Sequence, residues 1–164
     1  MKLEAKSLLA ALNDQKVEYK LFEHEAFFTV EESSKLKSNL NMQGAHTKNL
    51  FLRDKRKNNI LLVAHQDTII DLKLLAKNLN LDRLSFGSPE RLMENLGVLP
   101  GAVSPFSMIN GVKKDVKLFL DNNLKSFKKI FAHPLENNQT VEISIDQLEF
   151  FFKKISATPS WISL

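Results

Sequence analysis

One lysine in this chain stands where an apolar strand should begin. In the run His46-Thr47-Lys48-Asn49-Leu50-Phe51-Leu52, polar residues feed directly into hydrophobic ones. Side chains two apart in a strand share a face. Lys48 therefore falls with Leu50 and Leu52, and Asn49 with Phe51 and Arg53. If the leucines face the core, the ammonium sits at the edge of an apolar cavity, where it could hold an anion or a carbonyl oxygen. A lysine that bends its head back to water from a strand end fits the same pattern and is the commoner case. His46 joins Lys48's face if the strand reaches back that far. A second candidate is the loop over residues 97–101, Gly-Val-Leu-Pro-Gly. Gly97 and Gly101 around Pro100 dictate a tight, exposed turn. Its free backbone N–H groups could bind a developing oxyanion, although an ordinary helix-to-strand connection has the same composition.

Other chemistries find less support. His24, His46, His65 and His133 do not show the close spacing of a metal site such as HExxH, so no metal is expected. Taken singly, each histidine reads as structural; His65 lies between a strand and a helix, and His133 precedes Pro134 at a strand end. The chain has no cysteine, which excludes thiolate nucleophiles, disulfides and cysteine-bound zinc. No Ser-His-acid order and no nucleophile elbow can be found.

The 164 residues, 43% hydrophobic and 26% charged, suit a single domain, residues 1–164, with a sizeable core. A formal net charge of +4 allows an anionic partner such as RNA without demanding one. Lysines 113, 114, 117, 125, 128 and 129 could track phosphates, but such lysines more often form a solvated surface. No apolar run approaches the roughly 18 residues of a membrane span. The N-terminal stretch carries acids within its apolar part and reads as an amphipathic helix rather than a signal peptide. No membrane association and a cytoplasmic location are the expectation.

The elements that must position these residues follow from periodicity and caps. Leu3, Leu8, Leu9 and Leu12 give a first helix its apolar stripe. Residues 17–23 alternate as a short strand, with Val17, Tyr19 and Leu21 on one face. Thr29 and Glu32 form a capping box that opens a largely polar helix over 30–40. Strands over 50–53 and 60–64 make a hairpin around the turn DKRKNN. A helix is predicted over 71–79 and a short strand over 83–86. Another helix begins at the N-cap Ser88, with Pro89 in its first position, and runs to Leu96. Beyond the 97–101 loop, AVSPFSMI, VKLFL, KIFAHP and TVEIS read as strands. Ser144 and Gln147 form a second capping box before the last amphipathic helix. The sum is an α+β domain with a central mixed β-sheet flanked by helices.

Three segments, HTKNLFLRDKRKN, LSFGSPERLMENLGVLPGAVSPF and FAHPLENNQTVEIS, together resemble the YbaK-like aminoacyl-tRNA deacylases. That superfamily includes the editing insertion of bacterial prolyl-tRNA synthetases; the chain is most like its free-standing branch, known as ProXp-ala or PrdX. The resemblance spans nearly the whole chain, in the family's motif order. It implies hydrolysis of the ester of a mischarged tRNA, typically alanine on the proline tRNA, with cysteine or serine as alternative amino acids. A non-catalytic module that binds tRNA or a synthetase is the other class of reading. The resemblance further implies that Lys48, Asn49, Gly97, Pro100 and Gly101 lie at the reacting ester. Phe27, Val30, His46, Ser104 and His133 would contact the substrate. The partner would be the acceptor end of a mischarged tRNA, with prolyl-tRNA synthetase as a further candidate. An aminoacyl ester is already activated, so neither cofactor nor metal is implied. Two positions depart from the family: Ser107 stands where glycine often follows SPF, and Asn110-Gly111 replaces the usual Asn-Asp.

Overall fold

The structure is a computed structural model and describes residues 4–24, 45–136 and 138–164. The helix expected over 30–40 lies outside them.

Helix α1, Ala5–Asp14, buries Ala5, Leu8 and Leu12. Lys16 takes a left-handed φ of 59°, and the Val17 N–H returns to the Leu12 carbonyl oxygen at 2.9 Å. That reversal ends the helix and buries Val17. Strand β1 is consequently shorter than its alternation suggested, Lys20–Glu23.

The hairpin is longer than expected. Strand β2 runs Ala45–Arg53 and pairs antiparallel with β3, Asn59–His65, from Thr47↔His65 to Arg53↔Asn59. Asp54 closes the turn by accepting from the Asn58 N–H and Nδ2, both at 2.9 Å. Residues 60–64 are fully buried, because both faces of β3 are covered, the usual fate of a continuous apolar run.

After the hairpin come α2, Leu72–Asn78, capped by Asp71; β4, Ser85–Phe86; and α3, Pro89–Leu96, capped by Ser88. The segment AVSPFSMI is not a strand. Ser104 accepts from the Phe106 N–H, Pro105 sets the first helical φ, and the chain forms a 3-10 turn over Pro105–Ser107. It runs on into the one-turn helix α4, Met108–Gly111. Ser-Pro had already marked a helix start at 88–89, and the same chemistry acts here.

Strands β5 (Lys117–Asp121), β6 (Lys129–Ala132) and β7 (Gln139–Ser144) follow, then α5 (Ile145–Lys154) and β8 (Ser160–Ile162). Ser144 caps α5 by accepting from the Gln147 N–H. The reciprocal half of that capping box is diverted, since the Gln147 side-chain oxygen takes the Glu18 N–H at 2.9 Å.

Among the described residues the sheet has eight strands in the order β1-β7-β6-β2-β3-β5-β8, with β4 on β2. It is mixed: β2–β6, β3–β5 and β5–β8 are parallel and the remaining pairs antiparallel. One face packs on α1, α3 and α5 through Leu8, Leu96, Phe151 and Phe152. The other carries a smaller core in which Leu52, Ile60 and Leu62 meet Leu75 and Ala76 of α2. No described helix is long and apolar enough to cross a membrane.

Candidate functional site

Strand β2 serves two neighbours on one edge and leaves a notch between them. Its first residues pair with β6, Ala45↔Ile130 and His46↔Phe131, while its last pair with β4, Leu52↔Phe86 and Arg53↔Ser85. Two hydrogen bonds trim the gap: Thr47 Oγ1 donates to the Phe131 carbonyl oxygen, and the Gly87 N–H to that of Phe51. On that edge Lys48, Asn49 and Leu50 have no strand partner among the described residues.

Lys48 projects on the leucine face, as parity requires, directly across from Ala64. Leu50 and Leu52 on that face belong to the second core. The ammonium donates to the carbonyl oxygen of Thr68 in the β3–α2 connection. An ammonium has three donors, so this bond leaves donors for a ligand. The connection is held from below by Asp121 at the end of β5. Its Oδ2 accepts from the His65 N–H at 3.0 Å and from the Thr68 hydroxyl at 2.6 Å, and its Oδ1 from the Asn123 N–H at 2.9 Å. Asn123 Nδ2 also donates to Thr68 Oγ1 at 3.1 Å. Asp121 is fully buried. These supports were missed from the sequence, although Asp121-Asn122-Asn123 directly after an apolar strand is an Asx-turn signature.

Asn49 takes the opposite face, with Ala45 and Phe51 of the main core. Its Nδ2 donates to Thr47 Oγ1 at 3.3 Å. Its Oδ1 is buried and has no hydrogen-bond partner among the described residues. Leaving a buried acceptor unmet costs about 1–3 kcal/mol, so the position is held against a penalty.

The 97–101 loop packs into the same core cluster through Val98. Gly97 ends α3 in the left-handed region, φ 71°, with its N–H returned to Leu92 and Met93. The Ala102 N–H bonds the Leu99 carbonyl oxygen at 3.0 Å, and Gly101 has φ 86°. Pro then Gly at the centre of such a turn is the type II signature. The exposed N–H groups of Leu99 and Gly101 have no acceptor among the described residues. A Cβ at Gly101 would meet nothing within 4 Å, so Gly101→Ala is penalised by backbone conformation alone. It should cost about 1 kcal/mol, read as a lowered urea midpoint at unchanged slope, and any larger fall in activity reports the turn's geometry.

The remaining predicted residues divide. His46 is on the Lys48 face because β2 does reach back to Ala45; it is buried and stacks on Phe131, ring centroids 4.6 Å apart. His133 lies just past β6, and its ring bonds the Gln139 carbonyl oxygen through Nδ1 at 2.9 Å across the β6–β7 turn. A carbonyl only accepts, so Nδ1 carries the proton and Nε2 is the acceptor nitrogen of the neutral ring. Ser104 is fully buried and its oxygen is engaged in capping Phe106. Phe27 and Val30 lie outside the described residues. His65, expected between strand and helix, is the last residue of β3, and its Nδ1 accepts from the Asp67 N–H at 3.0 Å in the turn that follows.

Comparison with known proteins bears on this arrangement. Residues 24–151 match the model of the aminoacyl-tRNA editing domain. The chain is 37% identical over 155 residues to the prolyl-tRNA editing protein ProX of Acetoanaerobium sticklandii, covering 93% of each. It is 33% identical over 157 residues to prolyl-tRNA synthetase associated domain-containing protein 1 of Xenopus laevis, covering 93% of this chain and 92% of that one. A crystal structure described as a candidate trans-editing enzyme for prolyl tRNA synthetase superposes with a TM-score of 0.73 at 17% identity, covering 97% of each chain.

Proposed function

This chain belongs to the aminoacyl-tRNA editing domain family, whose work is to hydrolyse the ester joining an amino acid to tRNA, and from that premise we propose that it clears alanine from mischarged proline tRNA in trans. Its place of action would be the cytoplasm, with prolyl-tRNA synthetase as the enzyme whose errors it corrects. Such correction is needed because a pocket made for proline cannot strongly exclude a smaller amino acid.

The observation that supports the reading is the notch in β2, where Lys48 lies on one face of the sheet and Asn49 on the other. A chain end entering the notch could meet both. Lys48, already oriented by Thr68, would hold an oxygen of the terminal nucleotide or the ester electrostatically. Asn49 Oδ1, unmet among the described residues, would accept from the substrate's α-ammonium or a ribose hydroxyl. The N–H groups of Leu99 and Gly101 would position water or stabilise the tetrahedral oxyanion. The substrate's own ribose hydroxyl would assist the attacking water, so no protein nucleophile is needed. His46 and His133 would line the approach.

Asn49 yields a separable prediction. Asn49→Ala should leave stability unchanged or raised by up to about 1 kcal/mol, because a buried unmet acceptor disappears. Deacylation should fall at least about tenfold. A loss of both together would assign Asn49 a structural role.

The reading as a whole is tested by offering the pure protein proline tRNA charged in turn with alanine, cysteine, serine and proline. Rapid release of alanine and sparing of proline is expected. Preferential release of cysteine or serine would move the specificity, and tRNA binding without hydrolysis would leave a binding module.

A further inference from the structure

The turn that aims Lys48 is braced by a histidine ring. Strand β3 ends at His65, and residues 65–68 form a β-turn in which the Thr68 N–H returns to the His65 carbonyl oxygen at 3.0 Å. Inside that turn the Asp67 N–H donates to His65 Nδ1, also at 3.0 Å. An Asn or Asp side chain makes the same bond, to the backbone two residues on, in an Asx-turn; here imidazole makes it. The ring is half-buried and stacks on Phe127, centroids 5.0 Å apart. The shape of this turn matters because its last residue carries the carbonyl oxygen to which Lys48 donates.

The brace has a protonation requirement. A backbone N–H only donates, so Nδ1 is the lone-pair nitrogen and the ring is neutral, with its proton on Nε2. Protonation places a second donor on Nδ1, facing the Asp67 N–H. A partner for that donor stands close, since Asp67 Oδ2 lies 3.9 Å from Nδ1 on an exposed side chain. The charged ring would exchange the backbone of residue 67 for its carboxylate. The other charges around it among the described residues are engaged elsewhere or face away. Asp121 accepts from the His65 N–H, the Thr68 hydroxyl and the Asn123 N–H. On either side of Phe127, Lys125 lies over the Trp161 ring and Lys128 is exposed. Lys48 pairs with Ala64 and so projects on the opposite face of the hairpin from His65.

We propose that His65 is a positioning residue for Lys48 and makes its orientation depend on pH. The neutral ring holds the 65–68 turn so that the Thr68 carbonyl aims the ammonium; protonation releases the turn, and editing weakens as pH falls. His65 acts through Lys48 and not on the ester, and the proposal rests on the reading of Lys48 as a residue of the ester site.

The test compares His65→Asn with His65→Ala. Asparagine supplies an acceptor to the Asp67 N–H and does not titrate; alanine supplies none. Thermal melts at each pH establish that both fold. Release of alanine from proline tRNA is followed from about pH 8 to about pH 5, the range in which histidine changes charge. Each rate is divided by that of wild type, so that the ester's own pH dependence cancels. At the alkaline end the asparagine variant should stay within about threefold of wild type and the alanine variant should fall about five- to tenfold, the contribution of one neutral hydrogen bond. At the acid end, where wild type has lost its brace, the asparagine variant should exceed it by about the same factor and the alanine variant should match it. Ratios that stay flat with pH, or an asparagine variant as slow as alanine throughout, would overturn the proposal. The nuclear magnetic resonance signal of the Lys48 side chain reads the same coupling without catalysis. It should step with the titration of the His65 ring in wild type and lose that step in His65→Asn; no step in wild type would overturn the coupling. A wild type that hydrolyses no ester would overturn the editing reading, while the Lys48 signal would still decide the role of His65.

Discussion

Replacing Lys48 with alanine is expected to slow release of alanine from proline tRNA by at least about a hundredfold while the protein stays folded. The size follows from the kind of interaction lost. A preorganised charge or donor at a water-poor site contributes about 2.7–4 kcal/mol to a reaction that develops negative charge. The effect on stability should be small, because among the described residues Lys48 makes one hydrogen bond, to the Thr68 carbonyl oxygen, and such bonds contribute about 1 kcal/mol net. Lys48→Arg should not restore the rate, since a planar guanidinium cannot keep a point charge at the same place on a strand flanked by leucines. Single-turnover rates with a thermal melt of each variant decide the matter. Alanine at position 48 with wild-type turnover would remove the lysine from the mechanism.

The second large effect is expected one residue behind Lys48's own partner, Thr68. Asp121→Ala should lower stability by about 3 kcal/mol and the melting temperature by about 10 °C. The carboxylate is fully buried and takes three donors, the N–H groups of His65 and Asn123 and the Thr68 hydroxyl. Alanine removes the acceptor from all three, and the Thr68 hydroxyl is left buried without it. Activity should also fall in the fraction that remains folded, because the connection that carries the Thr68 carbonyl loses its anchor and Lys48 its orientation. Asp121→Asn keeps one acceptor oxygen and should fall between the two. If Asp121→Ala melted early but, below its transition, turned over substrate at the wild-type rate, the network would support the fold alone.

The hairpin, the helices over 72–78 and 89–96, and the last helix were legible because periodicity and caps agreed there. Lys48's face was legible from parity. The reach of β2 back to Ala45 was not: His46, Thr47, Lys48 and Asn49 have none of the apolar alternation that marks a strand, and they are held in one by pairing with β3 and β6. Sequence pattern describes burial, and these side chains serve a notch instead. AVSPFSMI misled for the opposite reason. Its apolar residues suit a strand, but Ser104 and Pro105 fix the backbone as a turn first. The three-residue strand β8 is too short to show any period and depends on β5 for its existence. The support of Lys48 by Thr68, and of Thr68 by Asp121, joins residues 20 and 53 apart in sequence, contacts that no local pattern encodes.

The central claim is most directly tested by one time course, the deacylation of alanyl-tRNA and prolyl-tRNA, both on the proline acceptor, by the purified wild-type protein. Alanine should be released at least about a hundredfold faster than its spontaneous loss, while prolyl-tRNA decays at its background rate. Background decay of both would contradict the account.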